Sequence, residues 1–593
     1  MPSEDYAQER WSLEELFPEL DSKEIEDAIK DLEAQIADFE ELRDRLSADM
    51  APAAFVEGLD KYDQMVRSIS RIGAYGQMKF TENTQDQAAQ AFQARANQLG
   101  AEMDNRTMFF KLWWKGLEDE EAERLLESTG DYRYWLEALR LQKPHTLSEP
   151  EEKIINIKDV NGPAALVTLY DSITNRYTFP LDVNGEIKEL TRGELMVHVK
   201  SPEAEVRAAA YQSLFKVYEK DVPILGQIYQ YRARDWSSEN VRLREYSSPI
   251  AVRNLSNDLP GDLIDLMLDI CKANAPLYQR YFRLKARWVG MEKLRRYDVY
   301  APVGKTEKSY SFAEAAEIVL ESLNKFDPKV AKLARKLFDE HHIDSEVRAG
   351  KMTGGYCLTV EPNLTPWVMQ NFQGRPEDVA TMAHELGHAI HSLLAADHSA
   401  LTQSSSLPLA ETASMFSEML LIDELLERDP DPEVQRDLLF RQMDGTYATI
   451  QRQAFFAMFE KTAFELIEGG ASVDDLTAAY WDNLEAQFGD SLELNEEFRY
   501  EWSMIPHFLH YPFYVYAYAF GQLLVLSLYK QFREEGDSFK PRYLEILSAG
   551  GSESPVRILK RAGIDVRSPD FWNGGFQVVE MALKQLEAMP VEA

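Results

Sequence analysis

A mainly α fold is predicted for this chain by three observations. Apolar residues recur at spacings of three and four through most of its length, as in Ile25, Ile29, Leu32, Ile36 and Phe39, which places them on one face of a helix. Period-two alternation bounded by turn residues is confined to a few short stretches. With 593 residues, 45% of them hydrophobic, the chain can bury a sizeable core, and it carries no internal repeat or low-complexity tract.

In chain order, residues 11 to about 140 read as amphipathic helices, with Trp113, Trp114 and Trp135 as core anchors. Residues 143–150 break the pattern, with Ser148 or Thr146 as the cap of the next helix. Residues 177–190 alternate about Asn184-Gly185, a hairpin signal. Helices resume at Pro202 and run to about Arg287, residues 297–302 read as strand or loop, and residues 312–341 read as helix. Residues 350–360 and 366–372 then form two short strands flanking a turn. Their edges can pair with an extended peptide or simply support the following helix. Gly354, Gly355 and Tyr356 are the candidate substrate-binding residues there.

Residues 381–391, Thr-Met-Ala-His-Glu-Leu-Gly-His-Ala-Ile-His, carry a His-Glu-x-x-His pattern inside a helical run. His384 and His388 stand one turn apart and can share one zinc ion, while Glu385 can aim its carboxylate at a water on that ion. A third ligand must come from elsewhere, because the residue ten beyond His384 is Leu394. Ser404, Ser405, Ser406 and Pro408 mark the start of a new helix with Glu411 in its first turn, running on until Asp429-Pro430 stops it. Glu411 and Glu418, seven residues apart, fall on one face. Acidic groups on an otherwise apolar helix are costly to bury unless paired or metal-bound. Glu411 is therefore assigned as third ligand and Glu418 as the group that orients a ligating imidazole. His391, three residues past His388, has a supporting or packing role.

The net charge of -36 argues against nucleic-acid and anionic-membrane partners, and no obligate protein partner is inferred. Cys271 and Cys357 are the only cysteines, which fits a reducing compartment. The first six residues lack a basic, apolar leader pattern. Residues 511–529 carry no charge, but Pro512, Gly521, Gln522 and the tyrosines favour a buried helix over a span. A cytoplasmic location is expected.

His384-Glu-Leu-Gly-His-Ala-Ile-His391 followed by Leu409-Ala-Glu411-Thr-Ala-Ser-Met-Phe-Ser-Glu418 closely resembles the oligoendopeptidase F branch of the thimet-oligopeptidase-like zinc peptidases. The likeness extends to Arg10-Trp-Ser-Leu-Glu-Glu-Leu-Phe17, Lys143-Pro-His-Thr-Leu-Ser148, Tyr297-Asp-Val-Tyr-Ala-Pro302 and the stretch around His507 and Tyr514 to Tyr518. The resemblance implies a large, prolate multi-helix body with a deep substrate channel, a small β element near the zinc helix and a gluzincin-type site. It also implies a division into an N-terminal helical region, 1–200, and a catalytic domain, 201–593. Met352 and Gly355 depart from that branch, where a basic residue and Ala are common.

The resemblance further implies that His507, Tyr514 and Tyr518 contact substrate. Tyr514 and Tyr518 are read on one helical face, with Pro512 in that helix's first turn and His507 in the entry loop; Tyr511 or Tyr516 could take the place of either tyrosine. The function so implied is a zinc endopeptidase, with one catalytic Zn2+, acting on oligopeptides. The alternatives are a helical zinc carboxypeptidase, which needs a cation to clamp the substrate carboxylate, and a non-catalytic peptide-binding scaffold, for which Glu385 has no use.

Overall fold

The computed structural model describes residues 6–304 and 308–590; the first five residues, which the leader reading spans, lie outside it. Helices dominate, and by packing the chain divides into two units, each assembled from three stretches. The first comprises Met1–Lys143, Glu307–Arg428 and Gln531–Asp565, the second Pro144–Thr306, Asp429–Lys530 and Val566–Ala593. These are groupings in space, so they follow different boundaries from a linear division at about residue 200.

In the first unit, helices Lys23–Glu40, Pro52–Glu82 and Gln87–Gly116 bury one apolar stripe each. Ile25, Ile29, Leu32, Ile36 and Phe39 are all in the core, where Phe55 stacks on Trp114 at 5.3 Å between ring centroids. A three-stranded sheet lies in the same unit: Trp367–Met369 pairs in parallel with Ile343–Asp344 and antiparallel with Tyr356–Leu358. Tyr356–Leu358 and Trp367–Met369 are the strands read from the sequence. Ile343–Asp344 is two residues long, too short to show a period. The helix read over 312–341 is two helices, Phe312–Phe326 and Pro328–Asp339. Asp327 breaks it by adopting an extended conformation, accepting from the Lys329 amide and placing Pro328 in the next first turn.

In the second unit, the Asn184-Gly185 pair turns a hairpin of Phe179–Val183 on Glu186–Leu190, with φ of 60° and 84° at the two turn residues, as a primed turn requires. Ser148 caps the helix Glu149–Asn161, its amide bonded to Glu151 Oε2 at 3.0 Å. The long helix Ala204–Trp236 packs against helices of the 432–504 region. Several buried charges in this unit are paired: Glu501 accepts from Arg296, from Arg452 at 2.8 Å and from Tyr480 at 2.7 Å, and Lys285 is bonded to Asp444 at 2.7 Å. No helix among the described residues is long and apolar enough to cross a membrane; the uncharged stretch 511–529 is a turn followed by the buried part of helix Tyr516–Glu535.

Candidate active site

The helix Pro376–Leu394 carries the His-Glu-x-x-His pattern. Pro376 opens it, and Asp378 satisfies the free amides of Gln373 at 2.8 Å and Arg375 at 2.9 Å. Its apolar face, with Val379, Met382, Ala383, Leu386 and Ile390, is buried. Opposite it runs helix Thr412–Arg428. Gly387 lets the two approach: a Cβ there would lie 2.5 Å from Ser414 Cα and 2.6 Å from Ala413 O.

Glu411 is not in the first turn of one continuous helix. Ser406 stands at the N-cap position of a short helix, Leu407–Ala410, and Glu411 at the joint before Thr412–Arg428. Its carbonyl accepts from the Met415 amide at 3.2 Å, and Ser414 Oγ donates to its Oε2 at 2.7 Å. Glu411 is the C-cap residue of the short helix, with φ of -87° and ψ of 4°, and Ser414 holds its carboxylate.

Across this close contact three atoms converge. Glu411 Oε2 lies 3.4 Å from His384 Nε2 and 3.4 Å from His388 Nε2, and the two Nε2 atoms are 3.2 Å apart. Ligands held at zinc distances in a tetrahedral arrangement are roughly 3.3 Å from one another. Glu418 Oε1 accepts from His384 Nδ1 at 2.6 Å, which leaves His384 Nε2 as the bare nitrogen facing the other two atoms. Three electron-rich atoms so close repel unless a cation or a proton lies among them. The donor set and its spacing fit a tetrahedral divalent metal with one position open.

Three carboxylates, Glu385, Glu411 and Glu418, set the electrostatics around the imidazoles. Burial favours the neutral His384 ring, but the Glu418 hydrogen bond and the carboxylates of Glu418, Glu411 and Glu385 lift its pKa to about 9. Burial raises Glu411, yet the His388 and Ser414 hydrogen bonds hold it well below the usual carboxylate range. Glu385, only 7% exposed, is pushed up by burial and by Glu411 and Glu418, against the two imidazoles. Burial and the neighbouring His388 lower His391 to about 4, against a hydrogen bond to the Ala410 backbone.

A cavity of about 410 Å³ opens on these groups, lined by His384, Glu385, His388, His391 and, from the sheet, Gly355, Tyr356 and Cys357. Gly355 is where the strand comes nearest: a Cβ there would be 3.2 Å from Glu385 Oε1. Gly354 has φ of 89° at the turn before it. Tyr356 directs its hydroxyl to Thr81 at 2.7 Å, so its main chain, not its phenol, is what the cavity can use. Among the described residues, Tyr356–Leu358 pairs only with Trp367–Met369, which leaves its other edge open. Lys351, fully buried, ties this segment down through Asp344, Glu346 O and Gln370 O. In the sequence Gly350-Lys351 belongs to the family likeness ahead of the active site, but nothing there gives the lysine this anchoring role.

In the second unit His507, Tyr514 and Tyr518 also come together. His507 Nε2 is 3.3 Å from Tyr518 Oη, and the Tyr514 ring lies 6.2 Å from His507 and 5.4 Å from Tyr518. His507 is in a short helix, Pro506–His510, not an entry loop, because Pro506 starts a turn of its own. The longer helix begins only at Tyr516, so Tyr514 and Pro512 lie in the turn ahead of it. Tyr516 is core, its hydroxyl bonded to Asn257 at 2.9 Å, whereas Tyr511 is 56% exposed.

The Peptidase family M3 model matches residues 197–578, and the Oligopeptidase F model matches residues 113–179. Oligopeptidase PepF of Bacillus subtilis is 27% identical over 99% of this chain and 88% of its own length. Group B oligopeptidase PepB of Streptococcus agalactiae is 28% identical over 88% of each. The crystal structure of oligoendopeptidase-F from Enterococcus faecium has the same fold, with a TM-score of 0.71 over 95% of this chain and 98% of that one at 24% identity. On the extent of these matches, the chain belongs to peptidase family M3, in its oligoendopeptidase F branch, and is a metalloendopeptidase.

Proposed function

We propose that the chain is a zinc-dependent endopeptidase that hydrolyses internal bonds of short, unstructured oligopeptides, with His384, His388 and Glu411 as the metal ligands and Glu385 as general base. The observation that carries this reading is the convergence of His384 Nε2, His388 Nε2 and Glu411 Oε2 to within 3.4 Å beside a cavity that also holds Glu385. Zinc held by these atoms supplies Lewis acidity toward water and toward the scissile carbonyl.

The residues do the rest. Glu418 fixes His384 in the tautomer that presents Nε2, and Ser414 orients the Glu411 carboxylate. The open edge of Tyr356–Leu358 binds the substrate main chain as an added strand, and Gly355 lets that chain pass close to Glu385. Glu385 takes the proton of the attacking water and delivers it to the leaving amine. For His507, Tyr514 and Tyr518 the role that follows from the family resemblance is to donate hydrogen bonds to the substrate. Edge pairing requires a backbone whose amides and carbonyls are free, which selects unstructured peptides over folded proteins. The two unpaired cysteines, Cys271 and Cys357, are consistent with work in the cytoplasm.

The test is an internally quenched peptide blocked at both ends, offered to the zinc-loaded protein beside a folded protein with exposed loops. Internal cleavage of the peptide with the folded protein left intact is the expected result. Resistance of the blocked peptide with release of residues from free carboxyl ends would replace the endopeptidase reading by a carboxypeptidase one.

A further inference from the structure

The turn that carries Tyr514 is held in a conformation its own sequence disfavours. Phe513 has φ of 58°, the left-handed region that a bulky residue without special support avoids. Three groups impose it. The Phe513 amide donates to Glu460 Oε1 at 3.0 Å. One helical turn on from Glu460 in helix Arg452–Glu468, Phe464 packs its ring 4.7 Å from that of Phe513. From helix Ala251–Ser256, Arg253 donates to Pro512 O at 3.4 Å and sets its guanidinium over the Tyr514 ring at 5.8 Å.

Glu460 is an unusual choice for such a contact. It is fully buried, and its second oxygen has no hydrogen-bond partner among the described residues. A buried carboxyl left half-satisfied costs stability, so it persists because of what the first oxygen does. Burial pushes its pKa up to about 8, opposed by the Phe513 amide and Arg253, so at neutral pH it is mostly the uncharged acid with a carbonyl oxygen to offer.

We infer that Glu460, together with Arg253, is a positioning residue: it locks the left-handed Phe513 and so fixes the direction in which Tyr514 presents its phenol beside His507 and Tyr518. The inference rests on the reading of Tyr514 as a substrate donor. Glu460 does not touch the substrate; it acts through the Phe513 backbone.

The experiment is a double-mutant cycle on the zinc-loaded protein with the blocked quenched peptide, with metal content and Tm measured alongside. Glu460→Gln keeps the acceptor oxygen and should stay within about threefold of the parent kcat. Glu460→Leu removes it and should lower kcat by roughly tenfold with KM and metal content little changed, and adding it to Tyr514→Phe should cost nothing further. Arg253→Met, on a different helix, should lower kcat in the same non-additive way, and it carries the test if the leucine variant folds poorly. An impaired Tyr514→Phe with Glu460→Leu or Arg253→Met at the parent kcat, or losses that simply multiply, would overturn the positioning role alone. A fully active Tyr514→Phe would instead remove the reading of Tyr514, and the positioning role with it.

Discussion

At the scale of single residues, ligand and base are separable because their side chains meet different partners. Glu411 Oε2 is in the three-atom cluster, whereas Glu385 lies beside the strand edge and outside it. Glu385→Gln, nearly isosteric, should keep stoichiometric zinc and lose turnover by roughly a thousandfold or more, the scale of removing a general base that acts together with a metal. Glu411→Gln should lower metal affinity itself. Zinc analysis after dialysis against a weak chelator distinguishes them, and full retention by Glu411→Gln would move the third ligand elsewhere. The histidines and Glu385 were legible because helical spacing alone puts them on neighbouring faces. Glu411 was legible as a residue but not in its setting, since the break between Leu407–Ala410 and Thr412–Arg428 leaves no mark in a pattern of apolar spacings. Glu460 was not legible at all: one glutamate in an amphipathic helix reads as solvated until the backbone amide it meets, 53 residues away, is known.

At the scale of elements, the site depends on how closely two helices approach, and Gly387 sets that distance. Ala at 387 would drive its Cβ into the Ser414 and Ala413 backbone, which cannot yield as a flexible side chain can. Overpacking of this kind costs about 1–3 kcal/mol, and it would push Glu411 and Glu418 away from the imidazoles. Gly387→Ala should therefore lower Tm and zinc affinity together, where a surface substitution of equal size lowers neither. A second element-level contact makes stability depend on pH. His398 gives Nδ1 to Asp131 at 2.6 Å and Nε2 to Ser548 O at 2.9 Å, so both ring nitrogens face acceptors and the ring is held protonated. The Asp131 hydrogen bond raises the His398 pKa against burial. A raised pKa in the folded state means the stabilisation is complete below the unfolded value, about 6.5, and is lost as pH rises through the higher folded one. Denaturant midpoints should fall between pH 6 and pH 9 more in the parent than in His398→Gln; equal slopes would show that the ring stays neutral. The strands near the site were readable from alternation and turn residues. Their order, with Tyr356–Leu358 at an edge, was not, because pairing depends on partners distant in the chain.

At the scale of the whole molecule, apolar periodicity yields the helices but not their grouping, which is why the two packing units interleave stretches that the sequence presents in a line. Net charge is different: it is a sum and needs no fold. At -36 the chain is surrounded by a potential that draws cationic peptides and repels anionic ones before any contact is made. That potential reaches about 30 Å at 0.01 M salt and about 10 Å at 0.1 M. The kcat/KM of a lysine-rich blocked peptide should thus fall several-fold between those two salt concentrations, while that of a glutamate-rich peptide of the same length rises and that of a neutral one stays level. The effect should appear in kcat/KM and not in kcat, because screening acts on encounter and leaves the chemistry at the metal site untouched. Equal salt dependence for all three peptides would mean that acidic residues near the path of the substrate are neutralised by partners, and that the excess charge lies where substrates do not pass.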